Sequence, residues 1–149
     1  MKPKNSPLVL SDFYIVASSV IAIPTPNGFN GDINSIPIEI DFNILQQIED
    51  KTNFKVVVSI DGNDPQNPSP GYCFNIVAEG LFHFNHIEDL KQEDRDSLLS
   101  HSAVPLIIGH IRAHLASFTA VGPYDKYILP LFDFNDLAQQ KADQIKTNK

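Results

Sequence analysis

The sequence predicts an α+β fold in which four antiparallel strands precede two helices. Two observations carry this expectation. Between Ile36 and Phe84 apolar residues recur at every second position, in blocks divided by a break rich in Pro, Gly and Asn. From Leu90 onward the spacing changes to three and four. Strands grouped ahead of helices imply segregated elements, not the alternation that builds a parallel sheet.

The first block, Leu8–Ile23, is apolar on both faces. Strict alternation puts Val9, Phe13, Ile15, Ala17, Ile21 and Ile23 on one side and Leu10, Tyr14, Val16, Val20 and Ala22 on the other. A strand of this kind needs cover on both sides. With two helices to follow, part of one sheet face stays bare in a single subunit, which predicts self-association. The stretch Pro24–Asp32 is dense in turn formers. Beyond it, Ile36, Ile38, Ile40, Phe42 and Ile44 alternate with Pro37, Glu39, Asp41 and Asn43, a half-buried strand. Phe54, Val56, Val58 and Ile60 repeat the pattern after a short irregular or helical piece over residues 46–53. The second break, Asp61–Gly71, reads as a long hairpin loop. After it, Tyr72, Phe74, Ile76, Ala78, Phe82 and Phe84 share one face, opposite a mixed set of Cys73, Asn75, Val77, Glu79, Leu81 and His83.

Leu90–His101 reads as a short charged helix or turn with Leu98 and Leu99 inward. Ser102 is a candidate cap for the next helix, whose first turn tolerates Pro105. Val104, Ile107, Ile108, Ile111, Leu115 and Phe118 form its buried stripe. Gly122-Pro123 ends it. Asp133 or Asn135 can cap a final helix with apolar Leu137, Ala138, Ala142 and Ile145, closing on Lys146 and Lys149. Residues 1–149 are expected as one domain, with 1–7 disordered and 140–149 frayed.

Composition narrows the function classes. A 42% hydrophobic content with 10 Phe supports a packed core. Net charge of −7 disfavours nucleic acid and anionic lipid, both of which need a basic face. The lone Cys73 excludes an internal disulfide and a cysteine-rich zinc site. Polar interruptions at Ser11, Asp12, Ser18 and Ser19 argue against a signal peptide, and no run reaches the ~20 apolar residues of a membrane span. A cytoplasmic location is expected.

Catalysis has no visible constellation. His110 and His114 have chelating spacing, but Ile111 stands where a zincin needs Glu and no third ligand is suggested. Asp61-Gly62-Asn63-Asp64 departs from a calcium loop, with Gln66 and Tyr72 at the sixth and twelfth positions. Glu93–Asp96 is a solvated turn, and glycine is too sparse for a phosphate-cradling loop. No metal, no cofactor and no catalytic residue is expected. Tyr124, Tyr127, Ile128, Leu129, Leu131 and Phe132 fall between the helices in a segment that is neither helix nor strand by pattern. Two readings stand: they cover the core under a long loop, or they line an apolar groove for an extended chain.

The order Glu79-Gly80-Leu81-Phe82, then a helix with Pro105 and Arg112, then Gly122, then Leu129-Pro130-Leu131-Phe132-Asp133-Phe134-Asn135-Asp136-Leu137, resembles the SecB protein-export chaperones. The likeness spans the chain in element order and concentrates between Tyr72 and Leu137. It implies four antiparallel strands and two helices assembled as a dimer of dimers. It implies an ATP-independent holdase that keeps preproteins unfolded in the cytoplasm and passes them to SecA. The candidate client groove comprises Phe42, Ile44, Phe54, Tyr124, Tyr127, Ile128, Leu129, Phe132, Phe134 and Leu137, of which Tyr124 through Phe132 match by similarity the crossover that borders the family's groove. The candidate oligomer interface comprises Phe13, Ile15, Ile107, Ile111, His114, Leu115 and Phe118, the last five on the helix that Pro105 and Arg112 match to the family's long interface helix.

Three departures bear on SecA. Asn75 stands where the family's docking face carries an acid, β-block one has no acid between Asp12 and Asp32, and the C-terminus is short and Lys-rich. Divergent SecB-like proteins also serve the antitoxin of a toxin–antitoxin pair, so unfolded preproteins or an antitoxin are the expected partners. A small hotdog-type enzyme is the alternative of another class; that fold needs its helix early, whereas here four strands come first.

Overall fold

The computed structural model describes residues 1–147. Strands β1 (Leu8–Ile23), β2 (Ile38–Gln46), β3 (Asn53–Gly62) and β4 (Gly71–Phe84) form one antiparallel sheet in the order β1-β4-β3-β2. Helices α1 (Gln92–Leu98), α2 (Val104–Thr119) and α3 (Phe134–Thr147) follow. The α+β architecture with strands first is therefore the one the periodicity implies. The polar stretch over residues 46–53 is a tight turn, in which the Asp50 carboxylate accepts from the Thr52 amide and hydroxyl.

Register assembles the core row by row. Phe42, Val58, Ala78 and Ile15 stand opposite one another across all four strands, on the face that α2 crosses. Val56, Val58, Ile60, Ile76 and Ala78 from that face are fully buried with Ile107, Ile111 and Leu115 of α2. Each of these Val, Ile and Leu side chains contributes about 1.5–3 kcal/mol by leaving water. Gly80 lets the helix approach: an added Cβ there would lie 2.4 Å from Ile107 Cδ1. Gly71, at φ 122, meets the Ile33 carbonyl of the β1–β2 connection at a distance no side chain tolerates. The hairpin loop after β3 is organised by Asn63, at φ 72. Its side-chain amide donates to the carbonyls of Ser69 and Tyr72 and its oxygen accepts from the Ser69 amide, a turn and not an ion cradle.

Three local expectations are corrected. In β1 the pairing with β4 slips between Leu10 and Asp12 and between Ile15 and Ala17, leaving Ser11 and Val16 as extra residues. Each bulge reverses the alternation, so Leu8, Leu10, Phe13, Ile15 and Val20 face the core row, and Val9 and Ile21 do not. Ser102 caps nothing. It lies in a wide π turn (Leu99–Ala103) that joins α1 to α2 without a break. Pro105 explains the turn, because its ring and missing N–H disrupt the bond to the residue four back, and the widened turn absorbs that disruption. Phe118 is exposed, and Thr119 takes the buried place. The Thr119 hydroxyl donates to the Leu115 carbonyl and accepts from the Tyr127 amide, which makes its burial affordable. At the C-terminus α3 runs through Thr147, and Lys149 lies outside the described residues.

Candidate functional site

The apolar segment between α2 and α3 runs extended along the core. Tyr127 and Leu129 point inward and are buried, whereas Ile128 and Leu131 are exposed. Both ends of the segment are tied. The Tyr124 hydroxyl donates to the Ile23 carbonyl at the end of β1, and the Tyr124 and Tyr72 rings meet edge to face at 5.5 Å. At the other end Arg112 of α2 donates to the carbonyls of Leu129 and Pro130, each at 2.8 Å. Arginine suits this because its planar fork reaches two acceptors at once. Asp133 then caps α3, its carboxylate accepting from the amides of Asn135 and Asp136.

Beside this segment α3 lies along β2, and a groove of about 520 Å³ opens between them. Phe42 and Ile44 of β2, Phe54 of β3, Leu99 of the π turn and Ala138, Ala142 and Ile145 of α3 supply its apolar lining, with Asp96 and Lys141 at the rim. Phe54 is braced edge to face against Phe84, 5.5 Å away. A neighbouring recess of about 430 Å³ at the β2 edge takes in Ile38, Ile40, Phe132 and Leu137. A third apolar recess, about 490 Å³, opens toward the other side of the sheet past Leu45, Phe54 and Leu81.

The sequence-derived groove set thus divides. Phe42, Ile44 and Phe54 line one recess, Phe132 and Leu137 the next, and Ile128 is exposed on the segment. Phe134 and Tyr124 are half-buried against the core. Tyr127 and Leu129 are core residues out of a client's reach, because an extended backbone sends alternate side chains to opposite sides. Burial also pushes the Tyr127 hydroxyl above its ordinary pKa. Leu99 and Lys141 of the groove were missed; for Leu99 the signal was its inward position, while Lys141 carries none.

The interface set divides as well. Ile107, Ile111 and Leu115 are fully buried against the subunit's own sheet, so they are not available to a second copy. Phe13 stacks on His110 at 4.5 Å, and the His114 ring is hydrogen-bonded to Ser18 at 2.9 Å. These contacts turn the two histidines to separate partners on β1. Leu106 and Phe118 remain exposed on the outer side of α2. Among the described residues the grouping that approaches metal-ligand geometry is His86, Glu88 and Asp89, all exposed. No described helix is long and apolar enough to cross a membrane.

The sequence model of the family described as SecB, preprotein translocase subunit SecB, matches residues 2–145. No curated protein matches. Among solved structures, the chain is similar to the Mycobacterium tuberculosis SecB-like chaperone Rv1957, solved with a ChAD peptide from the HigA1 antitoxin. The TM-score is 0.57 and the identity 11%, over 85% of this chain and 91% of that one. A Streptococcus agalactiae protein of unknown function is 12% identical over 83% of this chain and 97% of that one, with a TM-score of 0.44.

Proposed function

Because the chain belongs to the SecB family of chaperones and not to an enzyme family, we propose that it is an ATP-independent holdase for unfolded polypeptide. The observation that supports this most is the groove between β2 and α3, continuous in character with exposed Ile128 and Leu131. Such a surface offers broad apolar contact without a shape-specific lock, which is what a binder of many extended chains requires. The acidic balance keeps a protein with this much exposed apolar surface soluble.

Self-association, as a dimer or a dimer of dimers, belongs to the same proposal. It is supported by the open outer sheet face, where Tyr14, Ile21 and Leu45 are exposed, and by Leu106 and Phe118 on α2. SecA is the weaker partner: on that face Asn75 donates to Asp61 in place of carrying a charge of its own. A cytoplasmic location follows from the proposed work. A second reading, dedicated service to one antitoxin, draws support from the antitoxin peptide carried by the mycobacterial fold neighbour.

The test is suppression of aggregation of a chemically denatured protein, with Phe42→Asp/Ile44→Asp as the control. Suppression by the natural chain and its loss in the variant support the groove. No suppression at severalfold molar excess overturns the general holdase. Stable co-purification with a single antitoxin then favours the dedicated reading.

A further inference from the structure

We propose that the client path does not end in the groove but turns around the end of β2 into the recess on the opposite face of the sheet, so that one extended chain occupies both. This rests on the groove being the client site and adds where the bound chain goes next. The two hollows meet at one corner. Gln46 and Phe54, directly opposed across β2 and β3, line both the groove and the recess of about 490 Å³. Past that corner Leu45, Lys55 and Leu81 form a single row across β2, β3 and β4 on the outer face. Charge does not interrupt the row, since Lys55 Nζ lies 3.4 Å from Glu79 Oε1 and is matched there. An apolar segment therefore passes the strand end without covering an unpaired charge.

The turn that forms the corner is held in place by its own polar groups. Asp50 accepts from the Thr52 amide and hydroxyl and from the Asn53 side-chain amide. The same Asn53 amide donates to Gln47 Oε1, and Gln46 donates to the Lys51 carbonyl. On this fixed turn Ile48 is 94% exposed, and Leu45 at its foot is 51% exposed. A slack loop folds a stray aliphatic side chain away, whereas this one holds Ile48 in water beside an apolar hollow, where a ligand that covers it gains the burial. The rest of the outer face lies elsewhere. Tyr14 and Ile21 belong to β1, the opposite edge strand, and Asn75 lies toward the other end of β4 from Leu81. The path also has a definite length. Phe42 to Gln46 spans about 13 Å of extended strand, and the two strand spacings from β2 to β4 add about 10 Å. The occupant is therefore an extended client segment with two apolar clusters about seven residues apart.

The test uses uncharged fluorescent Gly/Ser peptides that carry either one Leu-Phe-Leu cluster or two, the two separated by spacers of about two, seven or twenty residues. Fluorescence anisotropy gives their affinities for the natural chain, for Leu45→Ser/Ile48→Ser at the corner, and for Phe42→Asp/Ile44→Asp in the groove. With the natural chain, the two-cluster peptide with the middle spacer should bind about tenfold more tightly than the one-cluster peptide. The short spacer should give no more than the statistical factor of about two, and the long spacer should fall between. Leu45→Ser/Ile48→Ser changes exposed side chains and leaves the fold intact, so it should erase that gain while one-cluster binding stays unchanged. Equal affinities for one and two clusters, or a gain that survives Leu45→Ser/Ile48→Ser, overturn the path and leave the groove standing. A fall in light-scattering mass of Leu45→Ser/Ile48→Ser without peptide also overturns it, by assigning the corner to contact between copies. If the natural chain binds neither peptide, or Phe42→Asp/Ile44→Asp binds the one-cluster peptide as well as the natural chain does, the groove reading falls and the path falls with it.

Discussion

Replacing Arg112 by Ala is the sharpest test of how the segment between α2 and α3 is held. The guanidinium makes two bonds of 2.8 Å, from Nε to the Leu129 carbonyl and from Nη2 to the Pro130 carbonyl. A bond to a charged donor contributes roughly 1.5–3 kcal/mol when shielded from water, and less when water competes. The Leu129 bond is partly buried and the Pro130 bond is exposed. Taking the lower end for the first and a fraction for the second gives a loss of about 2 kcal/mol. For a chain of this size that corresponds to a melting-temperature drop of roughly 4–8 °C, measured at fixed protein concentration because assembly contributes to apparent stability. Arg112→Lys keeps a charge but only one reach, so it should recover about half. Denaturant unfolding by circular dichroism at matched concentration supplies the number. A loss below about 0.5 kcal/mol, or a lysine variant equal to the natural protein, refutes the two-bond account.

Gly80→Ala puts a methyl against Ile107 Cδ1 and should cost about 1–3 kcal/mol, with Ile107→Val in the same chain restoring part of it in denaturant titrations. Cys73 has its thiol pKa raised by burial and then by the nearby Asp64 and Asp61 carboxylates. Because the thiolate is the nucleophile, its reaction with an aromatic disulfide reagent at pH 8 should be slower than that of free glutathione. The rate should still climb with pH after that of free glutathione has levelled off. Phe118→Asp should leave the circular dichroism spectrum unchanged while lowering the mass seen by light scattering. Ile111→Asp, which buries a carboxylate without a partner, should prevent folding outright.

Strands β2, β3 and β4 were legible because nothing interrupts their alternation, so apolar parity and facing direction coincide along each. β1 carries equally apolar residues, yet its faces could not be assigned. A bulge adds one residue without changing composition, and two of them invert the parity at Ser11 and again at Val16. The stripe of α2 was read correctly to Leu115 and failed at its end for a related reason. Phe118 is the more apolar residue, but Thr119 alone can accept the Tyr127 amide from a segment eight residues ahead, and that bond decides which of the two turns inward. The deciding interaction is tertiary, and no local pattern records it.

The same limit governs the functional residues, and it separates burial from its cause. Ile107, Ile111 and Leu115 follow a helical period because something covers them, and the period is identical whether the cover is the chain's own sheet or a second copy. The structure assigns that cover to β3 and β4, which leaves the outward side of α2, with Leu106, His110 and Phe118, as the part of the helix that a partner can reach. For the segment after α2 the period is two and the logic inverts. Tyr127 and Leu129 are consumed in anchoring, so Ile128 and Leu131 are left outward. Apolar residues of a binding protein therefore fall into those that build the surface and those that are the surface. Parity relative to a fixed anchor, here the Arg112 bonds at Leu129 and Pro130, is what tells the two apart.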